Sequence, residues 1–557
     1  MRILLATVTA FVALAVPASA QGPFGPLNDI GALSQGEGQT PDMVPVQTNA
    51  EPPFAATPRA RCRPGDKTEP DIQGRVPAGT ADEGFACNVD LVSHQGSGGG
   101  FKVLRYIDTT GRECAYYDTA LLFPLNAFRF DVDSAGVAVL DMSDPAHPVQ
   151  TDQLTEPPML SPHESVVLNP KRGLIAAVLG NPATYPGMVS IYDASKDCRH
   201  PVHTFTGVLA RYGHESGFAP DGKTFYATGT ATKSITAIDV TDPKAPHVLW
   251  QGNVVSHGMS VSDDGNRAYV ADVGGNMAIL DTSEIQARKE NPQVKEISRL
   301  TWTNASIPQN AIPFTRNGHP YVLEFDEYTA GTTSGGDGDA VGAAHIIDIG
   351  DETQPRVIAN LRLQVNQPED HAAAANDPGA FSPVQGYAAH YCNVPTRVNP
   401  TVVACSFIAS GLRVFDISKL TEPKEIAYFV APTTSKVENG AQPSDYAMSQ
   451  PAIVPKRHEI WYSDGTTGFY AVRVAGAVWP KARAAKRCGA RIRVRLPRGA
   501  KVRSVRARLG GRGVKTHRRG RVIRARAKRP HAGQRLRIRV TLRSGRVIRK
   551  RRAVRCG

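Results

Sequence analysis

A short apolar run that ends in an aspartate recurs along this 557-residue chain and constrains its fold more than any other feature. The first copy, from Val139 to Pro145, reads Val-Leu-Asp-Met-Ser-Asp-Pro. The later copies centre on Asp193, Asp239, Asp281, Asp348 and Asp416, between 42 and 68 residues apart. Repeats of about this period are typical of solenoids, propellers and other arrays.

Each copy lies in a unit that predicts four short strands. In the second unit we expect strands over 165–169, 173–180, 188–192 and 201–207, which together form one blade of a β-propeller. The recurrent aspartate predicts a turn between the third and fourth strands, since Asp and Ser side chains bond nearby backbone amides and Pro cannot continue a ladder. We therefore interpret the repeated corner as structural rather than functional.

The two ends of the repeat region predict that the array closes into a ring. Residues 88–96 resemble a fourth strand without the first three, whereas 451–454, 459–463 and 468–474 supply three strands without a fourth. Pairing the two ends removes the free edges. The expected fold class is all-β: a seven-bladed β-propeller closed by an N-terminal strand, plus a small basic β-sandwich.

The domain boundaries follow from composition. Residues 1–20 read as a secretory signal peptide, with an apolar run before Ala18-Ser19-Ala20. Residues 21–85 predict a Pro/Gly-rich linker or arm, 86–480 the propeller and 481–557 the basic sandwich. No later stretch is long and apolar enough to span a membrane. We expect a secreted, extracellular monomer that can also be associated with the cell surface.

The eight cysteines predict disulfides if the chain is exported. Cys488 and Cys556 are expected to pair within the C-terminal domain. Cys392 and Cys405 are placed for a cross-strand bridge. Four others allow three pairings, between which the sequence does not choose: Cys62, Cys87, Cys114 and Cys198.

Charge is divided unevenly along the chain. From Lys481 onward there are 31 of the 65 Lys and Arg residues and no Asp or Glu, so 34 basic residues meet 51 acidic ones in the rest. The strict alternation of Arg with Val, Ile and Leu predicts strands with one apolar and one basic face. Such a module is suited to binding an anionic surface or polymer, and docking on the acidic propeller is the alternative.

Four histidines stand just before the predicted first strands of successive blades: His163, His214, His257 and His390. First strands line the channel of a propeller, so we expect these imidazoles at one channel mouth as a candidate metal site for Cu, Zn, Fe or Ni. Candidate ligand-binding residues of the same mouth are Glu164, Glu215, Gln309 and Glu324. The alternative is that a repeated His-Glu-Ser closes each turn by hydrogen bonding.

The aspartate-terminated runs resemble those of the LVIVD-repeat family, secreted β-propeller proteins of bacteria, over about Asn88 to Val474. This resemblance implies the fold and says little about activity. The histidine cluster is also similar, without any matching motif, to the selenium-binding and methanethiol oxidase propellers, which are metal proteins. The tail is similar to basic C-terminal modules of exported actinobacterial proteins.

Two functions are consistent with these features. The first is a secreted binding protein that holds an unknown ligand at the His/Glu-lined mouth and attaches to a surface through its polycationic module. The alternative is a metal-dependent enzyme, an oxidase or lyase, whose catalytic residues the sequence does not identify. Metal binding by the four histidines separates the two.

Overall fold

The structure, a computed structural model, is nearly all-β and describes residues 38–80, 82–119, 135–180, 185–230, 233–327, 341–381, 386–433, 444–481, 488–509, 512–527 and 535–556. The predicted signal peptide lies outside the described residues. Three short α-helices occur in the described part: α1 (Pro157–Leu160), α2 (Ser283–Gln286) and α3 (His371–Ala374). None of the described helices has the length and apolar character that a membrane span requires.

The N-terminal segment contributes three strands, β1 (Val46–Thr48), β2 (Phe85–Cys87) and β3 (Val89–Gln95). Three antiparallel sheets of four consecutive strands follow. Their strands are β4 (Val103–Ile107), β5 (Glu113–Asp118), β6 (Val137–Asp141) and β7 (Val149–Leu154); β8 (Val167–Asn169), β9 (Leu174–Val178), β10 (Gly187–Asp193) and β11 (Val202–Ala210); and β12 (Glu215–Phe218), β13 (Thr224–Gly229), β14 (Ser234–Asp239) and β15 (His247–Gly252).

Three further sheets repeat the same order of consecutive strands. They comprise β16 (Met259–Val261), β17 (Arg267–Asp272), β18 (Asn276–Asp281) and β19 (Lys295–Thr301); β20 (Ile307–Arg316), β21 (His319–Glu327), β22 (Ala344–Asp348) and β23 (Arg356–Leu361); and β24 (Tyr391–Asn393), β25 (Val402–Ser406), β26 (Leu412–Asp416) and β27 (Lys424–Val430).

The next sheet joins the two ends of the repeat region. Its strands β28 (Ala452–Val454), β29 (Glu459–Asp464) and β30 (Gly468–Val474) are completed by β3, which runs antiparallel to β30 from Val89 opposite Val474 to Gln95 opposite Phe469. The pairing predicted from the unmatched strands is therefore present. Because the fourth strand comes from the start of the chain, the ends of the array are held by main-chain hydrogen bonds.

The first strands of successive sheets lie side by side. β8 contacts β4 and β12, β16 contacts β12 and β20, and β20 contacts β24. β28 contacts β4, and the Asn393 side chain donates to the Pro451 carbonyl, which links the strands β24 and β28. The innermost strands thus follow one another around a circle, and residues just before them are brought together from distant parts of the sequence.

The recurrent aspartate makes the predicted turn at the end of each third strand. In the first copy the backbone amide of Ser143 donates to Asp141 Oδ1 at 2.9 Å. The same bond from the amide two residues later is made by every other copy: Asp193, Asp239, Asp281, Asp348 and Asp416. The repeat is thus an Asx turn, and its structural interpretation is confirmed.

The N-terminal arm lies along the outer edges of several sheets. β1 pairs in parallel with β19, and β2 pairs antiparallel with β27. Arg413 is fully buried and binds Glu69 of the arm at 2.9 Å and Glu425 at 3.0 Å. The arm therefore covers edge strands and is fastened by a buried ion network.

Three disulfides are present: Cys62–Cys87, Cys114–Cys198 and Cys392–Cys405. The last is the predicted cross-strand bridge, with the two residues opposite each other in β24 and β25. The first two resolve the pairing that the sequence left open. The side chains of Cys488 and Cys556 lie outside the described part, although their backbones face each other in a short strand pair.

The C-terminal region forms sheets of its own, with arginines exposed and aliphatic residues buried. A three-stranded and a four-stranded sheet enclose one apolar cluster that includes Ile492, Ile523 and Ile538. The strands are β31 (Cys488–Gly489), β32 (Arg491–Arg495), β33 (Val502–Leu509), β34 (Arg512–Gly513), β35 (Thr516–Arg519), β36 (Val522–Arg526), β37 (Arg535–Leu542), β38 (Val547–Ala553) and β39 (Arg555–Cys556).

Candidate metal centre

Three imidazole nitrogens converge on two carboxylates inside the circle of first strands. Nε2 of His214 lies 3.0 Å from Glu164 Oε2, and Nε2 of His257 lies 3.3 Å from the same oxygen. Nε2 of His390 lies 3.1 Å from the other oxygen of Glu164 and 3.2 Å from Glu327 Oε2. All five side chains are buried. The structure therefore brings together three of the four predicted histidines with Glu164.

The outer nitrogens of two of these rings are occupied by backbone carbonyls. His257 Nδ1 lies 2.9 Å from the Pro308 carbonyl oxygen, and His390 Nδ1 lies 2.6 Å from the Met448 carbonyl oxygen. A carbonyl only accepts, so each Nδ1 must carry the hydrogen and donate it. The Nε2 lone pair of each neutral ring is then directed inwards, which is the arrangement that metal-ligating histidines adopt.

The inward arrangement is electrostatically incomplete without a cation or added protons. His214 Nε2 and His257 Nε2 are only 2.9 Å apart, and both face carboxylate oxygens that cannot donate hydrogen bonds. Burial works to lower the pKa of His257 and of His390, but Glu164 and Glu327 outweigh it and raise each pKa to about 9. The rings thus hold protons in the positions where a metal ion would bind.

Glu164 is the carboxylate that the histidines share. Burial works to raise its pKa, but the neighbouring histidines, His214 foremost, outweigh this and hold the pKa of Glu164 well below its ordinary value. It therefore remains an anion in the interior. An anionic oxygen among several imidazole nitrogens is a donor set that borderline divalent ions accept.

His163 occupies the more exposed side of this cluster. Its ring lies 4.6 Å from the His214 ring and 4.3 Å from that of Phe101, measured between centroids. Its ligand atom lies within 4.8 Å of those of Glu164 and His214. The backbone is in the left-handed region, with φ of 49°, and burial lowers the pKa of this histidine to about 3. His163 is thus a neutral, partly exposed imidazole beside the buried side chains of Glu164 and His214.

A second polar layer adjoins the histidines. Lys102 Nζ lies 2.8 Å from Glu215 Oε1, and the Asn310 side-chain amide donates to the same oxygen at 2.6 Å. Lys102 also lies 3.9 Å from the centroid of the Tyr391 ring, and Gln309 donates to the Tyr391 hydroxyl at 2.6 Å. The predicted residues Glu215 and Gln309 are thus buried here, and Glu215 is compensated by a lysine.

Glu324 lies in a separate buried group. It is 2.8 Å from His345 Nδ1, and Asp326 accepts hydrogen bonds from the Trp302 indole and the Ser306 amide. Burial raises the pKa of both carboxyl groups, and the ligand atoms of Glu324, Asp326 and His345 lie within 4.8 Å of one another. The structure therefore places Glu324 with His345 rather than with the four predicted histidines.

Sequence reasoning did not select Lys102 or Tyr391. Glu327 ends the second strand of its sheet, β21, and so lies outside the histidine positions that the repeat relates. Lys102 immediately precedes β4 and, by its place opposite Asp118, is equivalent to Glu215, one position after the histidines of the other sheets. Comparing the residues at this position in every blade, rather than only the histidines, was the signal that could have found the lysine.

Comparisons with known proteins agree with the repeat. The family model described as the LVIVD repeat matches residues 257–285, which contain Asp281. No curated protein matches the chain.

Solved structures with an overall resemblance include the periplasmic gluconolactonase PpgL of Pseudomonas aeruginosa, at 13% identity over 62% of this chain and 94% of that one, with a TM-score of 0.42. Another is the hydrazine synthase of Kuenenia stuttgartiensis, at 13% identity over 57% and 76%, with a TM-score of 0.34. A functionally unknown protein of Desulfotomaculum acetoxidans matches at 13% over 57% and 81%, with a TM-score of 0.37. Likeness at this level says nothing about activity. Residues 257–285 thus match the LVIVD repeat, and the Asx turns at the five aspartates equivalent to Asp281 repeat the same local structure along the chain.

Proposed function

We propose that the protein is a metal-dependent enzyme whose centre is one divalent transition metal ion held by His214, His257, His390, Glu164 and Glu327. The observation that carries this proposal is the convergence of three Nε2 atoms whose partner nitrogens, in two rings, already donate to backbone carbonyls. Imidazole and carboxylate together suit zinc, iron or nickel, and also oxidised copper.

The balance of charge supports a divalent ion. Glu164 and Glu327 bring two negative charges, the three imidazoles are neutral when they bind a metal, and the neighbouring Glu215 is offset by Lys102. Isolated charges are costly to bury, and a divalent ion would supply the same +2 charge as the two protons that it displaces from His257 and His390. When bound, such an ion supplies a Lewis acid, and Glu164 and Glu327 anchor it.

A catalytic role is favoured over a purely structural one because the ring of sheets does not need a metal for closure. We propose that the seven sheets, five of four strands and two extended to five by β1 and β2, are the blades of a propeller closed by β3 through main-chain hydrogen bonds. Buried histidines and carboxylates with perturbed pKa values are characteristic of functional sites. His163, at the outer side, is where a substrate group would first meet the centre.

Metal analysis tests this proposal. Protein purified without chelator should contain about one equivalent of a transition metal by inductively coupled plasma mass spectrometry. The double variant His214→Ala, His257→Ala should lose it, whereas the control His147→Ala, His247→Ala, at exposed positions, should keep it. A metal-free wild type that also fails to take up Zn²⁺, Fe²⁺, Ni²⁺ or Cu²⁺ would refute the site.

A second measurement separates a catalytic centre from a closed structural one. In protein loaded with Co²⁺, azide should change the visible absorption bands if a coordination position is open to small ligands. An unchanged spectrum at saturating azide would leave a structural metal site and contradict the enzyme. The non-catalytic ligand-binding role would then be the better description of the channel mouth.

A second role is favoured by the C-terminal module, which we propose is a small β-sandwich that attaches the exported protein to an anionic surface. The three disulfides support an oxidising, extracellular location. The outward residues of the module strands are predominantly arginines, and 481–557 contains no acidic residue. Retention on a heparin column with and without residues 481–557 across a salt gradient tests it, because equal elution would contradict attachment.

A further inference from the structure

One face of the four-stranded sheet in the basic module carries arginines directly opposite one another on three adjacent strands. In the register of β33, β37 and β38, two cross-strand rows of three arginines are formed. All six side chains are exposed. We call this surface the arginine face; it consists of Arg506, Arg539 and Arg549 in one row and Arg508, Arg537 and Arg551 in the other.

This arrangement is unfavourable for the module alone. Like charges directly opposite on neighbouring strands destabilise a sheet. Residues 481–557 contain no Asp or Glu, and no ion pair is formed by the arginines of the described part of the module. The repulsion is therefore not offset within the module, and an anionic partner lying on the face would relieve it.

The residue type indicates the chemistry of that partner. Of the 31 basic residues from Lys481 onward, 25 are Arg and only 6 are Lys. General attraction to negative charge needs only ammonium groups, whereas the planar guanidinium fork matches the oxygens of a phosphate in pairs. The preference for Arg therefore points to phosphate groups.

The geometry indicates an extended chain of such groups. Arginines in one row are about 4.8 Å apart across the strands, and the two rows are about 6.7 Å apart along them. Both spacings are short enough for successive phosphates of one linear polymer to be contacted in turn. A flat sheet face offers neither a helix nor a two-stranded ribbon for the major groove of DNA.

Two other classes of partner fit less well. Residues 481–557 contain no Phe, Trp or Tyr, so the module lacks the stacking platforms that single-stranded nucleic-acid binders use. The same absence removes the Trp and Tyr side chains that favour membrane interfaces. A polymer recognised through its phosphates alone remains.

We propose that the arginine face binds a linear phosphate polymer, an extended chain of phosphodiester or phosphate groups at the surface to which the protein attaches. This inference rests on the attachment role proposed above and names its ligand. Each arginine contacts phosphate oxygens with two N–H groups, so binding depends both on the positive charge and on the guanidinium shape.

The test uses the full chain and two immobilised probes, linear inorganic polyphosphate and poly(glycerol phosphate). The face variant is Arg508→Gln, Arg537→Gln, Arg539→Gln, Arg551→Gln. Its matched control removes the same charge at exposed positions off the face: Arg498→Gln, Arg503→Gln, Arg543→Gln, Arg546→Gln. A third variant replaces the four face arginines by Lys. Far-ultraviolet circular dichroism confirms that each variant is folded.

The face variant should bind at least one probe on the order of 100-fold more weakly, and the slope of log K against log salt should fall by about 3, since each phosphate contact contributes about 0.7. The control should lose far less. The Lys variant should keep the salt slope and lose affinity. Tighter binding of one probe identifies whether the ligand is a phosphate chain or a phosphodiester chain.

Equal losses in the face variant and the control would overturn the proposal. It would also be overturned if duplex DNA, heparin or vesicles of phosphatidylcholine and phosphatidylglycerol bound as tightly as both phosphate polymers. In those cases salt-sensitive retention on heparin would still show that the module attaches to anions. Failure to be retained by any anionic matrix would instead contradict the attachment role itself.

Discussion

Replacing Gly258 by alanine should disrupt the polar layer beside the histidines. A Cβ atom at this position would lie 1.4 Å from Glu215 Oε2 and 2.4 Å from the Gln309 carbonyl oxygen. Both distances are far below van der Waals contact, and the second neighbour is backbone that cannot rotate away. Glu215 would have to leave its position between Lys102 and Asn310.

The expected loss of stability follows from the ion pair between Lys102 and Glu215, which the displacement of Glu215 would break. Lys102 is 1% and Glu215 is 0% exposed, so separating them leaves two buried charges without their partners. Removing one partner of a buried pair costs about 3–5 kcal/mol, and overpacking alone about 1–3 kcal/mol. We expect Gly258→Ala to lower the free energy of unfolding by about 3–5 kcal/mol. We also expect weaker metal binding, because His257 is the adjacent residue.

Urea unfolding followed by tryptophan fluorescence measures this change. All four tryptophans, Trp250, Trp302, Trp461 and Trp479, precede residue 481, so the signal reports on the propeller region. Gly274→Ala is the control in the same sheet, since the atom nearest to its added Cβ, in the Asp272 side chain, is 3.1 Å away and no backbone atom lies within 3 Å. A Gly258→Ala midpoint no lower than that of the control would refute the described position of Glu215.

Three further predictions concern protons, disulfides and the arm. Metal affinity should rise with pH up to about 9, because the ion displaces protons from His257 and His390, whose pKa values are about 9. Calorimetry at pH 7 in buffers of different ionisation heat should show about two protons released per metal ion bound. An affinity that is constant from about pH 6.5 to 8.5 would contradict this. Replacing Cys114 and Cys198 by Ala opens a loop of 84 residues and should lower the free energy of unfolding by about 4.5 kcal/mol. The same change at Cys392 and Cys405, which are 13 residues apart, should lower it by about 3 kcal/mol. If urea unfolding gives the opposite order, the stabilisation does not come from loop entropy. Arg413→Met should lower the free energy of unfolding by about 3–5 kcal/mol, because Glu425 loses its cation and Glu69 keeps only Arg59. It should also make residues 38–80 sensitive to limited proteolysis; an arm as resistant as in the wild type would show that this network does not fasten it.

The fold was predictable because each repeat contains the residues that specify its strands and turns. Asp141 and its five equivalents could be interpreted as Asx turns from residue type alone. The strand that starts at Val89 has no sheet of its own near it in the sequence, and the sheet that ends at Val474 lacks a fourth strand. The sequence therefore predicted that the two pair, as they do. The course of the arm was not predictable, because β1 and β2 pair through backbone groups that carry no sequence pattern.

The candidate centre was predictable only where the repeat relates its residues. His163, His214, His257 and His390 occupy equivalent positions, so ring closure alone implied that they approach each other. Glu327 comes from the end of a second strand, and its contact with His390 depends on how one long strand is placed. No repeated sequence pattern indicates such a contact.

The distribution of compensating charges explains why the centre is distinct from the other buried polar groups. Glu215 has Lys102, Glu69 and Glu425 share Arg413, and Glu324 and Asp326 can share a proton because burial raises the pKa of both. Glu164 differs, because its pKa is held low and its buried neighbours are histidines whose pKa values are raised to about 9 in His257 and His390. Among these described buried carboxylates, Glu164 is the one whose charge is balanced by protons on histidine nitrogens that can bind a metal. A divalent ion would replace those protons.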